Sequence, residues 1–302
     1  MKIKVLGIAI LSLFLACSPN KKQENKDKIQ VVCTTGMVAD AAKAILGNLA
    51  EVHCLMGPGV DPHLYKATQG DVGLLQSADL ILYNGLHLEG KMTEIFKKLS
   101  RTKSCYPIAE ALDSNKLIFA AEGIPDPHIW FDLLLWRSAV RELANFLRNE
   151  YPEKELQLKE NATSYLAQLE DLHFWTQEMI DSIPANQRVL VTSHDAFAYF
   201  GKAYGLKVNA LQGISTAAEF GLQDVQSLIQ FCLSHKLKSI FVETSVNEKA
   251  LQTVVEGIAA KGGNTTIGPA LYSDALGAEG TATGSFIGVV QHNVTSICQG
   301  LK

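Results

Sequence analysis

The chain has 302 residues, of which 47% are hydrophobic and 19% are charged. This length exceeds what one compact core usually holds, so we expect two domains of ordinary size. The composition excludes a disordered or fibrous chain. A formal net charge of -4 with scattered basic residues also excludes nucleic acid as an expected partner.

The first residues predict an export signal. Two lysines precede an apolar run over residues 5–16, which is too short to cross a bilayer as a stable helix. The run ends in Phe-Leu-Ala-Cys at Cys17, which resembles the bacterial lipobox, where cleavage leaves a cysteine that carries lipid. We predict a signal peptide over residues 1–16 and a polar, lipidated tether over residues 17–28. The alternative is an ordinary secretory peptide with a coincidental cysteine.

The cysteines beyond Cys17 are odd in number and include no C-x-x-C pair, so they indicate no thiolate metal site. The five are Cys33, Cys54, Cys105, Cys232 and Cys298. The first three lie in apolar, strand-like runs, which favours buried small hydrophobic residues, with one disulfide left open.

From residue 29, short apolar runs alternate with helical stretches. In chain order we predict a strand at IQVVCTT, a helix at MVADAAKAILG, a strand at EVHCLM, a helix near residues 67–76 and a strand at DLILYN. This alternation is typical of βαβ units, which form parallel sheets. Residues 29–151 are therefore predicted to form a first lobe.

The next predicted element is one long helix over residues 152–184. Proline brackets the segment at both ends, and the interior holds neither proline nor glycine. Apolar side chains at helical spacing predict a face that packs along both lobes. They are Tyr165, Leu169, Leu172, Met179 and Ile183.

A second alternating series follows, with strands predicted at RVLVTS, LKVNAL, KSIFVE and NTTIG and helices between them. We assign residues 185–302 to a second lobe. The predicted fold class is α/β, with two lobes that each hold a mostly parallel sheet flanked by helices, joined by one long backbone helix.

The tripeptide Asp-Pro-His occurs twice, ending at His63 and at His128. The first copy follows the strand EVHCLM, so His63 is expected at the carboxyl end of a strand, where open α/β sheets bind ligands. Proline restrains its own φ and keeps the preceding residue extended, so each imidazole projects from a stiffened backbone. The alternative is that each histidine only satisfies a loop hydrogen bond.

Two further residues extend this pattern into the second lobe. His194 directly follows the strand VLVTS, and Asp274 follows the predicted strand NTTIG. Three imidazoles and a carboxylate suit zinc, manganese or iron, and the lack of thiolate disfavours copper(I). Glu243 is a reserve carboxylate, and His87 and His292 are candidates for contacts to the ligands.

Longer motifs stand in the same order as in a known family. They are GMVADAAKAI, MGPGVDPHLYKATQGDV, DLILYNGLHLEGKM, DPHIWFD, RVLVTSHDAFAYF, LQGISTAAE and LYSDALG. From about residue 31 the chain resembles the cluster A-I metal-specific solute-binding proteins of ABC importers, and within them the TroA-like zinc and manganese receptors.

The resemblance implies a non-enzymatic, lipid-anchored receptor on the periplasmic or extracellular face of the cell envelope. It implies that Zn²⁺ or Mn²⁺, with Fe²⁺ as a third candidate, is captured between the lobes and delivered to an ABC permease and its ATPase. The implied ligands are His63, His128, His194 and Asp274. Histidine at the third position is typical of zinc-type members, whereas dedicated manganese receptors tend to place glutamate there.

Two other classes of function remain as alternatives. A secreted zinc-dependent hydrolase also uses histidines around zinc, but it needs an open coordination position and a general base, and no H-E-x-x-H motif is present. An organic-solute receptor or adhesin would call for aromatic walls and bidentate arginines. Only Trp130 and Arg137 lie near a motif.

Overall fold

The computed structural model describes residues 28–120 and 123–302. The predicted signal peptide and nearly all of the predicted tether, including Cys17, lie outside the described residues. In the described part of the chain, no helix is both long and apolar enough to cross a bilayer.

The first lobe is built on a four-stranded parallel sheet with strand order β2-β1-β3-β4. Its strands are β1 (Ile29–Cys33), β2 (Ala50–Cys54), β3 (Leu80–Tyr83) and β4 (Ser104–Pro107). Its helices are α1 (Gly36–Leu46), α2 (Gln69–Ser77), α3 (Thr93–Leu99) and α4 (Leu133–Glu150). The three predicted strands are present, and β4 lies at the edge, where a terminal proline is tolerated.

The long connecting helix is α5 (Glu155–Asp181), preceded by a 3-10 turn at Pro152–Lys154. At 1.5 Å per residue it is about 40 Å long. Most of the predicted apolar face is buried, and Met179 is partly buried. The helix packs against α1 and α4 of the first lobe and against the C-terminal helix α9 (Phe286–Leu301) of the second. It therefore braces both lobes.

The second lobe contains two parallel strand pairs, β5 with β6 and β7 with β8. Its strands are β5 (Val189–His194), β6 (Lys207–Gln212), β7 (Ser239–Ile240) and β8 (Thr266–Ile267). Its other helices are α6 (Ala198–Tyr204), α7 (Leu222–His235) and α8 (Lys249–Ala260). A parallel bridge between Thr192 and Phe241 joins the pairs. The predicted α/β class is confirmed, with a less regular second sheet than expected.

One hydrophobic core runs through both lobes and the connecting helix. It includes Val31 from the first sheet, Leu169 from α5, and Leu190 and Phe241 from the second lobe. Separating the lobes as rigid bodies would expose this shared core to water, which is unfavourable. The fold therefore favours local movements over a wide opening of the cleft. The five described cysteines are unpaired.

Candidate metal site

The two Asp-Pro-His loops share one local structure. In each loop the aspartate Oδ1 accepts a hydrogen bond from the histidine amide two residues later, at 2.9 Å from His63 and at 2.9 Å from His128. In this turn the aspartate side chain accepts the hydrogen bond that a backbone carbonyl would otherwise accept. Together with the proline between them, it fixes the position from which each imidazole projects.

The other two predicted ligands come from the second lobe. His194 is the last residue of β5, whose six residues are all buried. Asp274 follows Leu271, which bridges to Glu243 in parallel, so it also leaves the carboxyl end of an extended segment. Parallel chain segments thus bring both side chains to one edge of the second lobe.

The four predicted side chains meet in a single buried cluster. Their potential ligand atoms all lie within 4.8 Å of one another, and no member of the cluster is more than 4% exposed. His128 Nε2 lies 3.3 Å from His63 Nε2 and 3.4 Å from His194 Nε2. Four ligands at zinc distances in a tetrahedron would lie about 3.3–3.4 Å apart. The spacing therefore suits one small metal ion.

The Asp274 carboxylate faces all three imidazoles. Its Oδ2 lies 3.2 Å from His194 Nε2 and 3.7 Å from His63 Nε2, and its Oδ1 lies 3.4 Å from His128 Nε2. Within the described residues, neither oxygen accepts a well-formed hydrogen bond. A buried carboxylate without hydrogen bonds destabilises the fold unless a cation compensates its charge. A metal ion would supply that compensating charge.

Two carboxylates outside the cluster orient two of the imidazoles. Asp126 Oδ1 lies 2.7 Å from His128 Nδ1. The reserve carboxylate, Glu243, does not join the cluster: it contacts His194 Nδ1 and also accepts the His194 amide at 2.8 Å. A partner on Nδ1 directs Nε2 into the site and makes it a stronger donor to a metal.

The surroundings of His63 and His194 shift the pKa values of their imidazoles in opposite directions. Burial lowers the pKa of His63 to about 3, so this imidazole is neutral at pH 7 and its lone pair is available. Burial also acts to lower the pKa of His194, but the carboxylates of Glu243 and Asp274 outweigh it and raise that pKa well above its usual value. A metal ion bound at His194 Nε2 would have to displace this proton, so binding there would strengthen as pH rises.

Asp274 carries the negative charge of the cluster. Burial acts to raise the pKa of its carboxyl group, but the three imidazoles outweigh burial and hold that pKa well below the usual range. The group therefore stays ionised near neutral pH. Because a metal ligand must be deprotonated, Asp274 is ready to bind a cation.

In the motif NGLHLEG, the residue that supports the candidate site is Glu89. His87, a candidate for such a contact from the sequence, does not reach the cluster. Glu89 is buried and accepts hydrogen bonds from Thr34 Oγ1 at 2.6 Å and from the Asn84 amide at 2.8 Å. Asn84 in turn donates to the Pro127 carbonyl at 3.1 Å, directly before His128.

His292, the other histidine outside the predicted ligand set, contacts the chain near Asp274 without reaching the cluster. Its Nε2 lies 2.9 Å from the Ala270 carbonyl, and its ring packs edge-on against Tyr272. It therefore supports the segment that leads to Asp274 rather than touching an imidazole of the site.

We expect Glu243→Gln to weaken zinc binding by roughly 10–100-fold, the usual cost of losing a partner that orients a metal ligand. The amide lacks the charge that raises the basicity of His194. A competition titration against a chromogenic chelator measures the change. Asp40→Asn is the matched control, because Asp40 is a partly buried carboxylate that accepts a hydrogen bond from Tyr165 outside the site. Equal affinity in parent and Glu243→Gln would show that Glu243 does not tune His194.

Residues 31–300 match the family described as ZnuA, zinc-uptake complex component A, periplasmic. The chain is 47% identical over 288 residues to the manganese-binding lipoprotein MntA of Bacillus subtilis (strain 168), covering 95% of this chain and 94% of that protein. It is 32% identical over 307 residues to the iron ABC transporter substrate-binding lipoprotein MtsA of Streptococcus pyogenes serotype M1, covering 98% and 97%.

The zinc-binding protein TroA of Treponema pallidum (strain Nichols) is 41% identical over 297 residues, covering 98% of this chain and 96% of that protein. A solved structure of the periplasmic zinc-binding protein TroA from Treponema pallidum matches the fold with a TM-score of 0.89 and 43% identity, covering 91% and 99% of the two chains. The chain belongs to the ZnuA family of metal-binding solute receptors. Such receptors are not enzymes, so the hydrolase alternative is wrong.

Proposed function

We propose that this chain is an exported, lipid-anchored receptor that captures a transition metal ion and delivers it to an ABC permease and its ATPase. The ion binds between the lobes, with two ligands from each: His63 and His128 from the first, His194 and Asp274 from the second. Residues 29–151 and 185–302 act as the two lobes, and residues 152–184 connect them.

The observation that carries this proposal is the buried group of three imidazoles around one carboxylate, spaced as a single ion requires. The four residues come from two lobes and span more than two hundred positions of the sequence. A bound ion would therefore tie the lobes together. Such an arrangement favours capture and release of a cargo over catalysis, since four protein ligands leave little room for a reacting water.

Zinc and manganese are the proposed cargoes, with iron(II) as a third. The named relatives bind zinc, manganese or iron. Three imidazoles favour zinc over manganese by the general order of metal affinities, so binding in the test tube should rank zinc first. The ion carried in the cell also depends on which metal is available.

Uptake in cells that depend on this receptor tests the proposed function. We expect deletion of the gene to lower accumulation of radioactive zinc or manganese at low external concentrations. The parent gene should restore uptake, whereas a gene carrying Asp274→Ala should not, because that change removes the anionic ligand. Equal uptake in all strains, with the receptor shown to be present, would contradict the proposed function.

The predicted anchor gives a separate prediction. We expect the mature chain to fractionate with membranes and to partition into detergent, and we expect Cys17→Ser to release it into the soluble fraction. Lipid on the cysteine supplies the apolar surface that holds the protein at the bilayer. Ser18→Ala, beside it, is the control. Continued membrane association of a folded Cys17→Ser protein would exclude the lipid anchor.

A further inference from the structure

The two Asp-Pro-His loops use their aspartates differently. Asp126 gives one oxygen both to the His128 amide and to the His128 ring, so it serves its own histidine. Asp61 gives Oδ1 to the His63 amide, but its Oδ2 accepts a hydrogen bond at 2.6 Å from Thr216 of the second lobe. The first loop is thus tied across the cleft by the residue that shapes it.

The His128 loop is fixed to the second lobe by buried aromatic side chains. Tyr199 donates from its hydroxyl to the Asp126 carbonyl at 3.1 Å. Trp130 donates from Nε1 to the Ser273 carbonyl at 3.1 Å, next to Asp274. All of these residues are buried. Breaking such contacts would leave unpaired polar groups in the core, so the His128 loop stays attached to the second lobe although it belongs to the first.

The His63 loop, residues 57–63, is attached to the second lobe more weakly. In the described part of the chain, the bond from Thr216 is the one hydrogen bond that joins this loop to the second lobe, apart from the contacts of His63 itself with Asp274 and His194. Asp61 and Thr216 are only partly buried. Gln212 donates a hydrogen bond from Nε2 to the Thr216 carbonyl at 3.0 Å. Because Gln212 also pairs with His194 in the β5–β6 register, Thr216 is connected to the strand that carries His194.

A cavity of about 630 Å³ borders this attachment and includes Asp61, Leu64 and Thr216 in its lining. The four clustered side chains are too buried for an ion to enter or leave without a movement. The shared core opposes separation of the lobes, whereas the cavity gives the His63 loop space beside it. The loop that carries His63 is therefore the element that can move at the lowest cost.

We propose that the Asp61–Thr216 hydrogen bond is a latch that holds His63 on the ion and sets the rate of metal release. Release begins when this bond breaks and the His63 loop moves toward the cavity, while His128, His194 and Asp274 stay together. Thr216 and Asp61 act as positioning residues that do not touch the ion. This inference rests on the proposed function as a metal receptor.

The test is stopped-flow release of zinc from the full-length, zinc-loaded receptor into excess chelator. Thr216→Val keeps the shape of threonine and loses the hydroxyl, and we expect it to raise the dissociation rate about tenfold, or 1.4 kcal/mol. The dissociation rate is the diagnostic quantity, because release must begin from the latched, zinc-loaded receptor. Thr216→Ala should act in the same way, and Thr216→Ser should restore the parent rate.

Thr253→Val is the matched control. Thr253 lines the same cavity, but its hydroxyl bonds within its own helix to Lys249, so this change should leave release unchanged. Parent-like release from both Thr216→Val and Thr216→Ala, or equal acceleration by Thr253→Val, would overturn the latch. Failure of the parent to bind zinc would overturn the receptor function instead, so the two failures are distinguishable.

Discussion

Asp274→Ala should lower zinc affinity by about 10²–10³-fold. Four-ligand zinc sites bind with an apparent free energy of about 10–16 kcal/mol, so losing one of four ligands costs on the order of 3–4 kcal/mol. Asp274 is the anionic member of the cluster and faces all three imidazoles. A competition titration at fixed pH measures the loss.

Glu279→Ala is the control for this change, because it removes the same charge from the same lobe at an exposed side chain paired with Lys43. We expect the control to bind zinc like the parent. Parent-like affinity in folded Asp274→Ala would mean that Asp274 is not a ligand and that the cluster does not hold the ion as proposed.

Bound zinc should stabilise the protein by about 4 kcal/mol when free zinc is near 1,000 times the dissociation constant. The ion binds the folded state, in which residues from both lobes meet, and not the unfolded chain. For a chain of this size the expected rise in melting temperature is on the order of 10 °C. Thermal unfolding followed by circular dichroism, with and without zinc, measures it.

The Asp274→Ala protein provides the control in this experiment too. At the same free zinc concentration its expected stabilisation falls to roughly 0.4–1.4 kcal/mol, since the ratio of zinc to the dissociation constant drops to about 1–10. Equal melting temperatures for the metal-free parent and for the parent with one bound zinc per chain would contradict a site that bridges the lobes.

Local sequence pattern was sufficient to predict the elements that carry the clustered side chains. The apolar run before His194 predicted β5, and the alternation of strands and helices predicted parallel sheets. The proline-bounded segment predicted the long helix, although a 3-10 turn delays its start to Glu155. Each of these features depends on residues close together in the sequence, where hydrophobic periodicity is informative.

Contacts between distant residues could not be read in this way. Thr216 lies 155 positions from Asp61, and nothing in the sequence near Thr216 indicates a bond to the first loop. Glu243 was noted as a carboxylate at a strand end, but only the fold shows that it reaches His194 Nδ1 and not the cluster. Strands β7 and β8 lie within the predicted strands KSIFVE and NTTIG, but each has only two residues, fewer than these apolar runs predict.

The arrangement also suggests why binding and release are compatible in one receptor. Three members of the cluster are held by buried contacts or lie at the ends of extended segments, so they provide a rigid part of the site. The fourth, His63, comes from a loop with less support. A site that is partly rigid can recognise the ion by geometry and still open locally to release it.

X-ray absorption spectroscopy of the zinc-loaded receptor tests the central claim most directly, because it reports the atoms around the ion. We predict one zinc per chain with three imidazole nitrogens and one or two carboxylate oxygens, at about 2.0–2.2 Å. We expect the imidazole signal to fall from three to two in His128→Ala. Sulfur at about 2.3 Å, or fewer than three imidazoles in the parent, would contradict a site formed by His63, His128, His194 and Asp274.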